Sequence, residues 1–202
     1  MRTRIAALCL ALALSLSWLE GIRAETAKIP VVATFSILAD FVRNIGGDRT
    51  DVTMLVGPDG DTHVYQPKPA DAERLGKARL IVVNGLGLEG WIDRLIKASG
   101  TKAPVVIATQ AVKKQDMREE GRTITDPHAW QSIADAKVYV ANIRDGLIAA
   151  DPEGEAAYRN NAKEYLAKLD SLEKEVLAEI SKIPPKRREI ITTHDAFGYF
   201  GT

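Results

Sequence analysis

Cysteine is nearly absent: the chain holds one, Cys9. No intramolecular disulfide and no cysteine-based zinc site can therefore form. Histidine is almost as scarce, with only His63, His128 and His194. Charge of one sign is missing as well, since 27 Lys and Arg balance 27 Asp and Glu. Without a basic surplus there is little to neutralise a phosphate backbone, so nucleic acid is not expected as a partner. Neither a HExxH zinc-protease motif nor a GxSxG nucleophile elbow occurs. What is present is ordinary globular usage, 46% hydrophobic and 27% charged, which excludes a collagen-like, disordered or multi-span membrane chain. A length of 202 residues fits one domain, or one and a half.

The first 24 residues read as a leader. Arg2 and Arg4 precede an apolar run from Ile5 to Leu19, and Ala24 is the small residue a signal peptidase accepts. That run is shorter than the ~20 residues a membrane span needs. Residues 1–24 are thus expected to be a cleaved secretory signal peptide, and the mature chain a soluble exported protein. Cys9 lies inside the apolar run, a poor place for lipidation. Loss of Arg2, Arg4, Arg23 and Glu20 leaves 24 basic against 26 acidic residues and no cysteine.

The mature chain alternates strand and helix patterns. Strands are expected at 28–34, 50–56, 79–83 and 103–108, and helices at 36–45, 69–77, 89–99 and 132–149. This alternation predicts an α/β fold, its N-terminal lobe (25–150) a four-stranded, mostly parallel sheet with flanking helices. Residues 109–127 are polar and irregular, a loop long enough to suspect function. Tyr158, Ala162, Tyr165, Leu166, Leu169, Leu172, Val176, Ile180 and Ile183 then repeat at steps of three and four. They predict one long helix over 153–183, within a linker segment of 151–183. Pro184-Pro185 ends it, and 189–193 reads as the first strand of a new sheet. Residues 184–202 are expected to be the incomplete start of a C-terminal α/β lobe.

All three histidines fall in loops after expected strands, where open α/β sheets bind ligands. Neutral imidazole is a good ligand for zinc and similar metals. A metal site made of His63, His128 and His194 is therefore the leading candidate. Asp61, Asp126 and Asp195 sit beside these histidines. Each could accept a ring N–H, or serve only as a turn or helix-cap residue. Asn84-Gly-Leu-Gly-Leu-Glu-Gly90 lacks the full dinucleotide fingerprint. It reads as a tight turn that brings Glu89 and Trp91 near a cleft rim. Trp91, Trp130, Phe197, Tyr199 and Phe200 read as packing residues.

Four segments carry a resemblance: Val31-Ala-Thr-Phe-Ser-Ile-Leu-Ala-Asp40, Gly57-Pro-Asp-Gly-Asp-Thr-His-Val-Tyr-Gln-Pro67, Asp126-Pro-His-Ala-Trp130 and Thr193-His-Asp-Ala-Phe-Gly-Tyr-Phe200. In this order they resemble the zinc/manganese-binding periplasmic proteins of metal ABC transporters, the cluster A-I solute-binding family. The resemblance implies two α/β lobes joined by a long helix. It implies His63 and His128 as metal ligands from the first lobe and His194 from the second. It also implies a fourth ligand, usually a carboxylate, lying beyond residue 202. On that reading the chain binds metal more weakly than a complete protein and leaves an apolar stripe exposed on the long helix. The partners implied are a divalent metal ion and an inner-membrane ABC permease, with the protein a monomer and not an enzyme.

Zn2+ is favoured over Mn2+, because nitrogen-rich sites suit zinc and manganese prefers oxygen. Manganese-type members of the resembling family often carry Glu where this chain has His194. Zinc-type members often carry a His-rich loop, whereas the loop around 110–125 has Lys113, Lys114, Arg118, Glu119 and Glu120 and no histidine. The alternative is an exported zinc-dependent hydrolase using the three-His site.

Overall fold

The computed structural model describes residues 27–119 and 121–201, so the expected leader lies outside the described residues. Strands β1 (Ile29–Phe35), β2 (Thr50–Val56), β3 (Leu80–Val83) and β4 (Val105–Ile107) form one sheet in the order β2-β1-β3-β4. Every pairing is parallel, Val31 lying opposite both Val52 and Leu80. β1 is central and reads Ile-Pro-Val-Val-Ala-Thr-Phe, buried along nearly its whole length. A strand covered on both faces needs a continuous apolar run rather than alternation.

The helices are α1 (Ser36–Gly46), α2 (Pro69–Lys77), α3 (Ile92–Ser99), α4 (Ile133–Ala150) and α5 (Glu155–Ser181). The chain steps from β1 to β2 in one direction and from β2 to β3 to β4 in the other. Right-handed crossovers then put α1 on one face and α2 with α3 on the opposite face. α4 and α5 pack with α1. The core on that side holds Leu38, Val42, Ile45, Tyr139, Ile143, Leu147 and Tyr158. Ser132 caps α4, its hydroxyl accepting from the Asp135 N–H at 3.2 Å. The α/β architecture and the four-stranded parallel sheet agree with the sequence expectation.

Four elements differ from expectation, the start of the long helix among them. The polar stretch 109–127 contains an antiparallel hairpin, β5 (Asp116–Glu119) paired with β6 (Arg122–Thr125). Gly121, at φ 77°, supplies the left-handed conformation its tight turn needs. The third helix starts at Ile92 rather than 89, because Gly85, Leu86 and Gly87 all take positive φ and hold that stretch as a turn. Residues 189–193 form no strand. A strand needs a neighbour for its N–H and C=O groups, and among the described residues none lies alongside; Ile191 is 96% exposed.

α5 has 27 residues, a length of about 40 Å. A short 3-10 turn over Pro152–Gly154 precedes it in place of the expected first helical residues. Its first half buries Tyr158, Ala162 and Leu169, whereas Leu172 and Leu177 further along are exposed. No helix among the described residues is long and apolar enough to cross a membrane.

Candidate metal centre

His63 stands in the loop between β2 and α2, at the carboxyl end of the parallel sheet. Three contacts shape that loop. Asp61 Oδ1 accepts the His63 backbone N–H at 2.8 Å, so this aspartate forms a turn and does not touch the ring. The Trp91 indole N–H donates to the Thr62 carbonyl at 2.9 Å. Tyr65 packs edge-on against Trp91 at 5.1 Å and donates its hydroxyl to Asp71 at 2.7 Å. Burial and this bond push the Tyr65 phenol up to about 12, so it stays a donor.

His128 lies between β6 and α4 and is 2% exposed. Asp126, equally buried, accepts both the His128 backbone N–H at 2.9 Å and the Nδ1–H at 2.7 Å. With its proton on Nδ1, the ring turns a bare Nε2 lone pair toward the other histidines. Burial lowers the His128 pKa below its usual value and outweighs the opposing pull of Asp126; His194 and His63 lower it further. The ring is thus held in the neutral form a cation requires.

His194 comes from the irregular segment after α5, not from a strand end as expected. Its neighbours Ala196 and Tyr199 are buried against the first lobe, and Tyr199 Oη accepts the Gln115 N–H at 3.0 Å. Asp195 makes no hydrogen bond to an imidazole among the described residues. Of the three neighbouring aspartates, Asp126 alone holds a ring.

The three histidines meet. His128 Nε2 lies 3.2 Å from His63 Nε2 and 3.0 Å from His194 Nε2. One nitrogen of each ring falls within 4.8 Å of the other two. Two ligand nitrogens at ~2.0–2.1 Å from a tetrahedral zinc are about 3.3 Å apart, so the spacing suits one ion. Lone pairs so close repel unless a cation or proton lies between them. The cluster opens into a hollow of about 350 Å³ bordered by Phe35, Leu88, Trp130 and Ala196. Trp130 packs against both Phe35 and His128, as the packing reading expected.

Sequence reasoning missed what lies beneath the cluster. Glu89 and Trp91 are buried rather than at a rim. Glu89 Oε1 accepts from the Thr34 hydroxyl at 2.6 Å and the Asn84 N–H at 2.7 Å, and Oε2 from the Gly85 N–H at 3.1 Å. Burial raises this carboxyl, and the three bonds work against that rise. The Asn84 side chain donates to the Pro127 carbonyl at 2.9 Å and accepts from Tyr139 Oη at 2.7 Å. One turn therefore grips both histidine loops, through Trp91 to Thr62 and through Asn84 to Pro127. The only signal for this was the Asn84–Gly90 motif itself, whose glycines announce a turn without saying what it holds.

Residues 31–202 match the family described as zinc-uptake complex component A, periplasmic (ZnuA). The chain belongs to this family. Among its relatives is a manganese-binding lipoprotein, MntA, of Halalkalibacterium halodurans. It is 36% identical over 181 residues, which cover 90% of this chain and 59% of that one. The iron-binding protein YfeA of Yersinia pestis is 35% identical over 182 residues, covering 89% and 58%. The solved structure of a manganese-bound periplasmic metal-binding protein from Candidatus Liberibacter asiaticus superposes with a TM-score of 0.79 at 32% identity. That match covers 86% of this chain and 65% of the other. The chain thus spans about three fifths of the length of the curated relatives it matches. All three histidines and the loops that carry them fall inside the ZnuA-family span. The family's periplasmic setting agrees with the exported chain expected from the sequence.

Proposed function

We propose that this protein captures a divalent transition metal in the periplasm and passes it to an ABC permease in the inner membrane. The observation that carries the reading is the convergence of the Nε2 atoms of His63, His128 and His194 within reach of one ion. These residues supply three of four ligand positions. The fourth is left for a water molecule or a carboxylate. Membership of the ZnuA family supports the cargo class and the transporter partner. Relatives named for manganese and iron keep the choice of metal open at the level of the family. The donor set favours zinc over manganese, because three imidazoles suit a borderline metal and manganese prefers oxygen. The protein works as a monomer that carries its cargo and does not transform it.

Binding ties the His194 segment to the first lobe, since a single ion draws ligands from both. Release follows when that segment is withdrawn at the permease. Zinc titration against a competing chelator tests the reading. The wild-type protein should bind one equivalent, and His128→Ala should weaken binding at least a hundredfold. Equal metal content in both proteins by elemental analysis would refute the site.

A further inference from the structure

We infer that Gly198 is the positioning residue that lets His194 reach the metal site. The inference rests on the three-histidine reading above. Gly198 sits four residues after His194 and lies against Asp126, the carboxylate that orients His128. A Cβ placed on Gly198 would stand 2.7 Å from Asp126 Oδ2, closer than nonbonded atoms approach. Its φ lies outside the left-handed region, so the collision, and not a positive φ, is what stands against alanine there.

One side must yield, and the two sides are held unequally. Asp126 is buried, its Oδ1 accepts both hydrogen bonds from His128, so the carboxylate cannot swing Oδ2 clear without breaking them, and its own N–H donates to the Gln115 carbonyl at 2.9 Å. The His194 segment is exposed from 186 to 195 and docks through Ala196 and Tyr199. A side chain at 198 therefore lifts the segment and carries the His194 ring away, leaving the Asp126–His128 pair in place. The Gln115 backbone links the two sides, its N–H going to Tyr199 Oη and its C=O to Asp126 N–H. Small size at residue 198 thus sets whether the third histidine closes on the ion.

The test is a double-variant cycle read by zinc affinity, using a competing chelator on the full chain. Gly198→Ala should weaken binding about tenfold or more, matching His194→Ala. The combined variant should be no weaker than His194→Ala alone. The melting of the metal-free protein reports folding: Gly198→Ala should keep a single cooperative transition, lowered no more than in Tyr199→Ala, which undocks the same segment. Cobalt loading adds a second readout: the visible spectrum of Gly198→Ala should resemble that of His194→Ala. Wild-type affinity in Gly198→Ala, beside a weakened His194→Ala, overturns this inference and leaves the three-histidine reading standing. Additive losses also overturn it, because the alanine would then act through His128. Unchanged affinity in His194→Ala overturns both.

Discussion

Replacing Asp126 with alanine separates two roles a carboxylate can play beside a ligand histidine, charge and orientation. The substitution removes the acceptor of both the His128 backbone N–H and the Nδ1–H. Freed of that bond, the ring can turn and can move its proton to Nε2, the atom that faces His63 and His194. Loss of such a partner costs about 10–100-fold in metal affinity. That equals roughly 1.4–2.8 kcal/mol. Stability falls as well, because two hydrogen bonds to a buried carboxylate disappear, a cost of about 3 kcal/mol. Affinity should therefore be measured well below the variant's melting temperature. Burial already keeps His128 neutral against the pull of Asp126, so the carboxylate is not what removes the ring's charge. The loss should then be the same at pH 7 and pH 8, and raising pH should not rescue it. Asp126→Asn keeps an acceptor oxygen and should fall between wild type and alanine. Zinc affinity by chelator competition at both pH values is the assay. Unchanged affinity in Asp126→Ala would refute the orienting role, and rescue at pH 8 would show that protons competing for the ring, and not its direction, caused the loss.

Metal binding should weaken as pH falls below about 6.5, since protons compete for the imidazole lone pairs; isothermal titration from pH 7.5 to 5.5 measures it. Zinc at a hundred times its Kd should raise the melting temperature by roughly 5–11 °C, the effect of about 2.7 kcal/mol on a chain of this size. Tyr158→Phe deletes the hydroxyl donated to Asp151 at 2.6 Å, and should cost about 2 kcal/mol, or roughly 4–8 °C in Tm, without altering zinc affinity. Burial pushes the Asp151 carboxyl up, but the bonds from Tyr158 and Arg49 outweigh it and hold the group below its ordinary value. That contribution is present above about pH 4 and is lost as pH falls through the depressed value, which thermal melts at acid pH should detect in wild type more than in Tyr158→Phe.

Much of this was legible in the chain. The β1 run Ile29–Phe35 is apolar apart from Thr34 because both faces are covered, and α1 shows its buried face in Leu38, Phe41, Val42 and Ile45. The histidines stood out because there are only three, each in a loop. The hairpin was not legible: its strands read Asp-Met-Arg-Glu and Arg-Thr-Ile-Thr, too polar to show alternation, with only Met117 and Ile124 opposite each other to pair apolar groups. The reverse error occurred at 189–193, where Ile190, Ile191 and two threonines favour a strand but have no neighbour to bond. The roles of Asn84 and Glu89 were not legible because they depend on partners distant in sequence, Pro127 and Thr34 among them. Local pattern carries the scaffold, whereas the second layer of a site is built from distant polar contacts.

Everything above turns on one ion held by three histidines. Anomalous X-ray diffraction at the zinc edge, on crystals of the zinc-loaded protein, tests it most directly. A single strong peak is expected about 2.0–2.1 Å from the Nε2 atoms of His63, His128 and His194. A peak elsewhere on the chain, or one that any of the three rings fails to reach, would contradict it.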